Sequence, residues 1–162
     1  MAVLPLKYLP DPILRKKARP VAKVDQVIGT LINDMLDTMR EAGGVGLAAN
    51  QVGELLRIAV VEIPEEPPLV LVNPEVTRRV GRREVEEGCL SVPGYSGIVN
   101  RSIKTKVKAL DADGVPFRIT AEGLLSQALE HEIDHLNGIL FIDHLVEPGE
   151  LIPVPASEEM ED

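Results

Sequence analysis

The sequence predicts an α+β fold, with mainly antiparallel sheets packed around a central helix. Three observations predict it. A helical period begins near residue 26, strict alternation marks residues 103–120, and a second helical stretch covers about 122–137. Strands and helices are grouped rather than alternating, so a βαβ parallel sheet is not expected.

Taken in order, the first 20 residues are basic and proline-rich and predict irregular chain. VDQVIGTLINDMLDTMREAGG follows. Ile28, Leu31, Ile32, Met35, Leu36 and Met39 fall at i, i+3, i+4, i+7 spacing, one face of an amphipathic helix. Asp25 is placed to cap its start, and Gly43-Gly44 to end it. After the glycine-broken GGVGLAANQVG, the stretches RIAVVEI and PLVLVNP are short and β-branched, and predict buried strands. VTRRVGRREVEE predicts a longer, more polar strand, bent or bulged at its glycine. IKTKVKAL puts Lys104, Lys106 and Lys108 on one face and Ile103, Thr105, Val107 and Ala109 on the other. With a turn at DADG and the alternating VPFRIT, it predicts a hairpin whose lysines face solvent.

The second helix is expected from about Glu122 to Asn137, capped by Thr120 and stopped by Gly138. Ser126, Glu130, Asp134 and Asn137 form a narrow polar strip; Leu125, Leu129, Ile133 and Leu136 are apolar. A helix this apolar is expected to be nearly buried, carrying His131 and His135 inward. From Glu147 the chain is proline-rich and acidic, and its end is expected to be loose. The predicted organisation is one catalytic domain over 1–147 and an acidic, Pro-rich tail over 148–162.

Composition narrows the function classes. Hydrophobic residues make up 44% of 162, enough for a core, and aromatics only 2%, so that core must be aliphatic. A net charge of −9 argues against direct nucleic-acid binding, and it favours the solvated reading of the lysine face. Cys89 is the single cysteine, so no intramolecular disulfide is possible. No apolar run approaches a membrane span, and the N-terminus lacks a signal-peptide core, so no membrane partner and a cytoplasmic location are expected.

The chemistry concentrates in HEIDH, residues 131–135. Helical residues four apart lie one turn apart on one face, so both imidazoles can reach one metal ion. Glu132, displaced by roughly 100°, can sit beside the ion without binding it. This is the H-E-x-x-H arrangement of two ligands and a general base. Two buried imidazoles also need partners, which a metal provides. A hydrolytic site needs a third protein ligand. The familiar extension H-E-x-x-H-x-x-G-x-x-H matches at Gly138 but fails at Phe141. His144 comes three residues too late and reads as a structural or surface residue. Glu147 and Glu150 lie in the proline-rich tail. Cys89, in EEGCLSVPG, reads either as a small buried hydrophobe or as a thiolate ligand; its turn-like setting after Gly88 favours the ligand.

Three segments in order resemble the peptide deformylase family: GVGLAANQ (44–51), EGCLS (87–91) and HEIDHLNG (131–138). The resemblance runs from DPILR to FIDHL. It implies that Cys89, His131 and His135 hold one divalent metal ion, with iron(II) favoured and zinc, nickel or cobalt as the other fits. It implies Glu132 as general acid/base, and Gln51 and the Leu90 backbone N–H as oxyanion donors. Gly44, Val45, Gly46, Gly88, Leu124 and Ala128 would bind substrate. The implied reaction removes formate from N-formylmethionyl ends of nascent peptides. The rival readings are a general H-E-x-x-H zinc peptidase, which lacks its downstream ligand, and an inactive binding protein, which would be expected to have lost Glu132, Gln51 or a ligand. The chain departs from the family at Glu130, where glutamine is usual, and at Gln127, where some members are apolar. SEEMED stands where some members carry a basic helix that docks on the ribosome. Ribosome contact, if made, would be transient and without that helix.

Overall fold

The computed structural model describes residues 2–154; the terminal SEEMED segment lies outside the described residues. Helix α1 spans Gln26–Glu41, and Asp25 caps it by accepting a hydrogen bond from the Ile28 N–H. Helix α2 spans Gly123–Leu136. The strands are β1 (Gly46–Ala48), β2 (Ile58–Val61), β3 (Leu69–Val80), β4 (Arg83–Cys89), β5 (Val92–Arg101), β6 (Lys104–Leu110), β7 (Pro116–Glu122) and β8 (Ile152–Pro153). They form a five-stranded sheet in the order β1-β2-β3-β6-β7 and a three-stranded sheet in the order β4-β5-β8. Every paired neighbour is antiparallel, so the α+β expectation is met.

The core explains why β2 reads as an unbroken apolar run. Ile58 and Val60 pack with Ile32, Met35 and Met39 of α1. Ala59 and Val61 pack with Ala128, Leu129, Ile133 and Leu136 of α2. The larger sheet is therefore covered by a helix on each face, and a strand buried on both faces loses its polar alternation. The hairpin keeps its alternation: Thr105, Val107 and Ala109 are buried, while Lys106 and Lys108 face solvent. Ile103 lies just before the strand and is exposed.

Both helices end as the glycines predict. Gly43 and Gly138 have φ of +72° and +77°. The N–H groups of Gly43 and Gly44 return to the carbonyls of Arg40 and Met39. Those of Gly138 and Ile139 return to His135 and Asp134. Two such 5→2 and 6→1 bonds are a Schellman cap.

Three expectations need correction. Gly81 does not bend one strand; it separates two. β3 pairs with β6 while β4 pairs with β5, so the chain changes sheet there. Thr120 does not cap α2. It lies within β7 opposite Lys106, and the strand runs directly into the helix through Glu122, whose side chain makes no capping bond. The polar strip of α2 is not solvated throughout. Ser126 and Glu130 are buried. Ser126 donates to the Ser102 carbonyl, and Glu130 accepts from the Ser102 N–H and from Arg79. The strip faces the chain at Ser102 rather than water, which a single helix's periodicity does not reveal. In the tail, Ile152 and Pro153 pair with Ser96 and Tyr95 as β8.

Candidate metal centre and substrate cleft

The cleft lies where the two sheets meet α2. Each element delivers its residue for a local reason. The last pairs of β4 and β5 slip register between Gly88 and Cys89. A bulge of this kind redirects a side chain, and here Cys89 is turned toward α2. His131 and His135 lie one turn apart on α2, 7% and 0% exposed. Cys89 Sγ is 3.2 Å from His135 Nε2, which is 3.2 Å from His131 Nε2. The three donor atoms lie within 4.8 Å of one another.

Gln51 ends a 3-10 turn after β1. Its Oε1 accepts from the Ala48 N–H, which fixes its Nε2 toward Ser91 Oγ (3.1 Å) and Cys89 Sγ (3.5 Å). Glu132 lies beside the cluster, its Oε2 3.9 Å from His131 Nε2. Its Oε1 is buried with no hydrogen-bond partner among the described residues. Eleven of the twelve residues singled out from the sequence line one cavity of about 410 Å³; His135 sits behind them. Gly43, Glu86, Glu87 and Gln127 complete the lining. Phe141 is buried and stacked near His131, and His144 bonds Asp134 at the surface. Neither joins the cluster.

A family model described as Polypeptide deformylase matches residues 3–150. The chain belongs to the peptide deformylase family. It is 47% identical over 161 residues to a peptide deformylase of Dehalococcoides mccartyi, covering 99% of this chain and 96% of the relative. It is 51% identical over 151 residues to that of Halothermothrix orenii, covering 93% and 98%. Among solved structures it resembles a Legionella pneumophila peptide deformylase (TM-score 0.88, 53% identity, 91% and 89% covered). It also resembles one from Synechococcus elongatus solved with actinonin (TM-score 0.87, 42% identity, 89% and 81% covered). As a deformylase, the chain is a metal-dependent hydrolase that removes the formyl group from the N-terminal formylmethionine of newly made polypeptides. No helix among its described residues is long and apolar enough to cross a membrane.

The deformylase donor set fits a metal ion. Nitrogens bound at 2.0–2.1 Å around a tetrahedral ion stand about 3.3 Å apart, close to the observed separation of the two Nε2 atoms. The tautomer is also set. His131 Nδ1 donates to Glu87 Oε1 at 2.6 Å, so its Nε2 lone pair faces the site. The Ser91 N–H and Gln51 Nε2 both donate toward Cys89 Sγ, as a thiolate requires. Burial lowers both imidazoles, but Glu132, Cys89 and Glu87 reverse the sign at His131, while His131 drives His135 further down. Burial also pushes Glu132 up to about 7, with Glu87 and Asp134 acting in the same sense against His131 and Arg101. A carboxyl poised near neutrality suits proton transfer in both directions.

Sequence reasoning missed the support of this site. Glu87 is held in turn by Arg101, whose guanidinium also reaches Asp134 Oδ2 at 2.7 Å. Nothing in the chain around Arg101 marks it; only the pairing of β4 with β5 brings it to Glu87.

Gly46 is required by close approach. A Cβ there would lie 2.4 Å from Glu132 Oε2 and 2.9 Å from its carboxyl carbon. Gly46→Ala is expected to displace Glu132 and lower kcat by about 100-fold, with metal content unchanged. Unaltered kcat in that variant would show that Glu132 does its work from another position.

Proposed function

We propose that Cys89, His131 and His135 hold one divalent ion, with iron(II) favoured over zinc, nickel or cobalt, and that Glu132 moves the proton of the reaction. The observation that carries this reading is the convergence of the three donor atoms, with a buried carboxylate oxygen beside them that has no hydrogen-bond partner among the described residues. The ion, when bound, supplies Lewis acidity that makes water nucleophilic at neutral pH. Glu132 accepts a proton from the attacking water and returns it to the leaving amine. Gln51 Nε2 and the Leu90 N–H donate to the formyl oxygen as its charge grows; an uncharged amide serves without a charge to desolvate. β1 is a free edge of its sheet. The backbone at Gly44, Val45 and Gly46 therefore pairs with the substrate as an added strand, opposite Gly88. Val45, Leu124 and Ala128 surround the methionine side chain.

On this reading the catalytic domain is residues 1–147, followed by an acidic tail at 148–162. The protein works in the cytoplasm, where a reducing environment keeps Cys89 a thiol. It meets nascent N-formylmethionyl chains by transient encounter with the ribosome, without a basic C-terminal docking helix. Anaerobic purification with metal analysis and a formate-release assay tests the reading. Formyl-Met-Ala is expected to be hydrolysed at least 100-fold faster than acetyl-Met-Ala, because the added methyl crowds the oxyanion donors. Equal rates would point to a general peptidase.

A further inference from the structure

A polypeptide substrate continues far beyond its first residue, so its path out of the cleft matters. The cleft ends at Leu124, which is 44% exposed. Leu124 also forms one wall of a second cavity of about 380 Å³. Ile63, Leu69, Ile119 and Leu125 make that trough apolar, and the carboxylates of Glu66 and Glu122 stand at its rim.

The sheet register relates this trough to the metal centre. Gly46, against which Glu132 lies, pairs with Val61. The Glu62 N–H donates to the Val45 carbonyl. Ile63 is therefore level with Gly44, two residues further out, and on the same face of the strand as Val61. A peptide added beside β1 has the same two-residue period. If its first side chain lies between Leu124 and Ala128, its second points away. Its third returns to the first face roughly 7 Å further on, level with Ile63.

We propose that this trough is a binding site for the third side chain of the substrate, favouring an apolar residue and disfavouring an acidic one. The inference rests on the proposed pairing of substrate with the β1 edge. The apolar lining rewards burial of a leucine-sized side chain, and the two rim carboxylates repel a third.

Formyl-Met-Ala-Leu and formyl-Met-Ala-Asp, both as C-terminal amides, test it against formyl-Met-Ala amide, which is too short to reach the trough. The leucine peptide is expected to exceed the aspartate peptide about tenfold in kcat/KM, with the difference in KM. Glu66→Lys, at an exposed position, should shrink the aspartate penalty. Ile119→Ser should remove the leucine gain. Both should leave the rate on formyl-Met-Ala amide unchanged, which also reports that the variants are folded. Equal kcat/KM for the two longer peptides would overturn the proposal, as would a preference that survives both substitutions. Absence of formate release from formyl-Met-Ala amide would instead overturn the catalytic reading beneath it.

Discussion

Replacing Glu132 by glutamine is expected to leave metal content unchanged and to lower kcat by about two to four orders of magnitude. The amide is nearly isosteric, and Gly46 leaves just enough room for it. It cannot accept the proton, and Glu132 is not one of the three converging donors. Cys89→Ser should behave in the opposite way. Serine is a poor ligand beside a thiolate, so metal and activity should fall together. Metal analysis alongside formate release separates the two variants. Loss of metal from Glu132→Gln would make Glu132 a ligand; full metal in Cys89→Ser would remove Cys89 from the site.

The second large effect is expected at Arg101, which touches neither the cleft nor the donor atoms. Its side chain is 4% exposed and joins Glu87, 5% exposed, to Asp134. Arg101→Leu would leave two carboxylates without their cation. Breaking a buried pair in this way costs about 3–5 kcal/mol, so Tm should fall by roughly ten degrees or more. Metal affinity should also weaken by about 10–100-fold, because Glu87 no longer has a fixed position from which to orient His131. Arg101→Lys should recover part of the stability and less of the affinity, since one ammonium cannot replace a two-pronged fork. Undiminished metal affinity in Arg101→Leu would reduce the residue to a purely structural role.

The same pair gives a pH signature. Burial alone would raise the Glu87 carboxyl, but hydrogen bonds and charge from His131 and Arg101 outweigh it and hold the group at about 2. A depressed carboxyl stabilises the fold above its unfolded value of 4.5, and that contribution is lost as pH falls toward 2. Without Arg101 the folded value rises, so acid denaturation should begin at a higher pH. Thermal melts between pH 3 and 6 would read this shift.

Much of this was legible in the chain because the relevant signals are local. The period of α1, its Asp25 cap and the two terminating glycines are read over five to sixteen residues, and all stand in the structure. HEIDH carries its own geometry, since a helix fixes where residues four apart must lie. What escaped were facts of pairing. Gly81 reads equally well as a bulge or as a break until one knows that β3 and β4 have different partners. Glu130 reads as a solvent-facing residue because its helical phase matches Asp134 and Asn137. Only Ser102, 28 positions away, shows otherwise. Arg101 is an ordinary charged residue at a strand end until β5 lies against β4. In each case the missing information was which distant backbone would arrive.

The origins of the three donor atoms have a mechanical consequence. Cys89 belongs to the smaller sheet, while the histidines belong to the helix that supports the larger one. An ion held by all three would act as a cross-link between the two β-layers, closing a loop from residue 89 to 131. Like any such staple, it would restrict the unfolded chain more than the folded one. The cofactor that performs the chemistry would thereby also be a structural rivet. Exchanging one ion for another would alter how firmly the two halves of the molecule are held, as well as how fast they work.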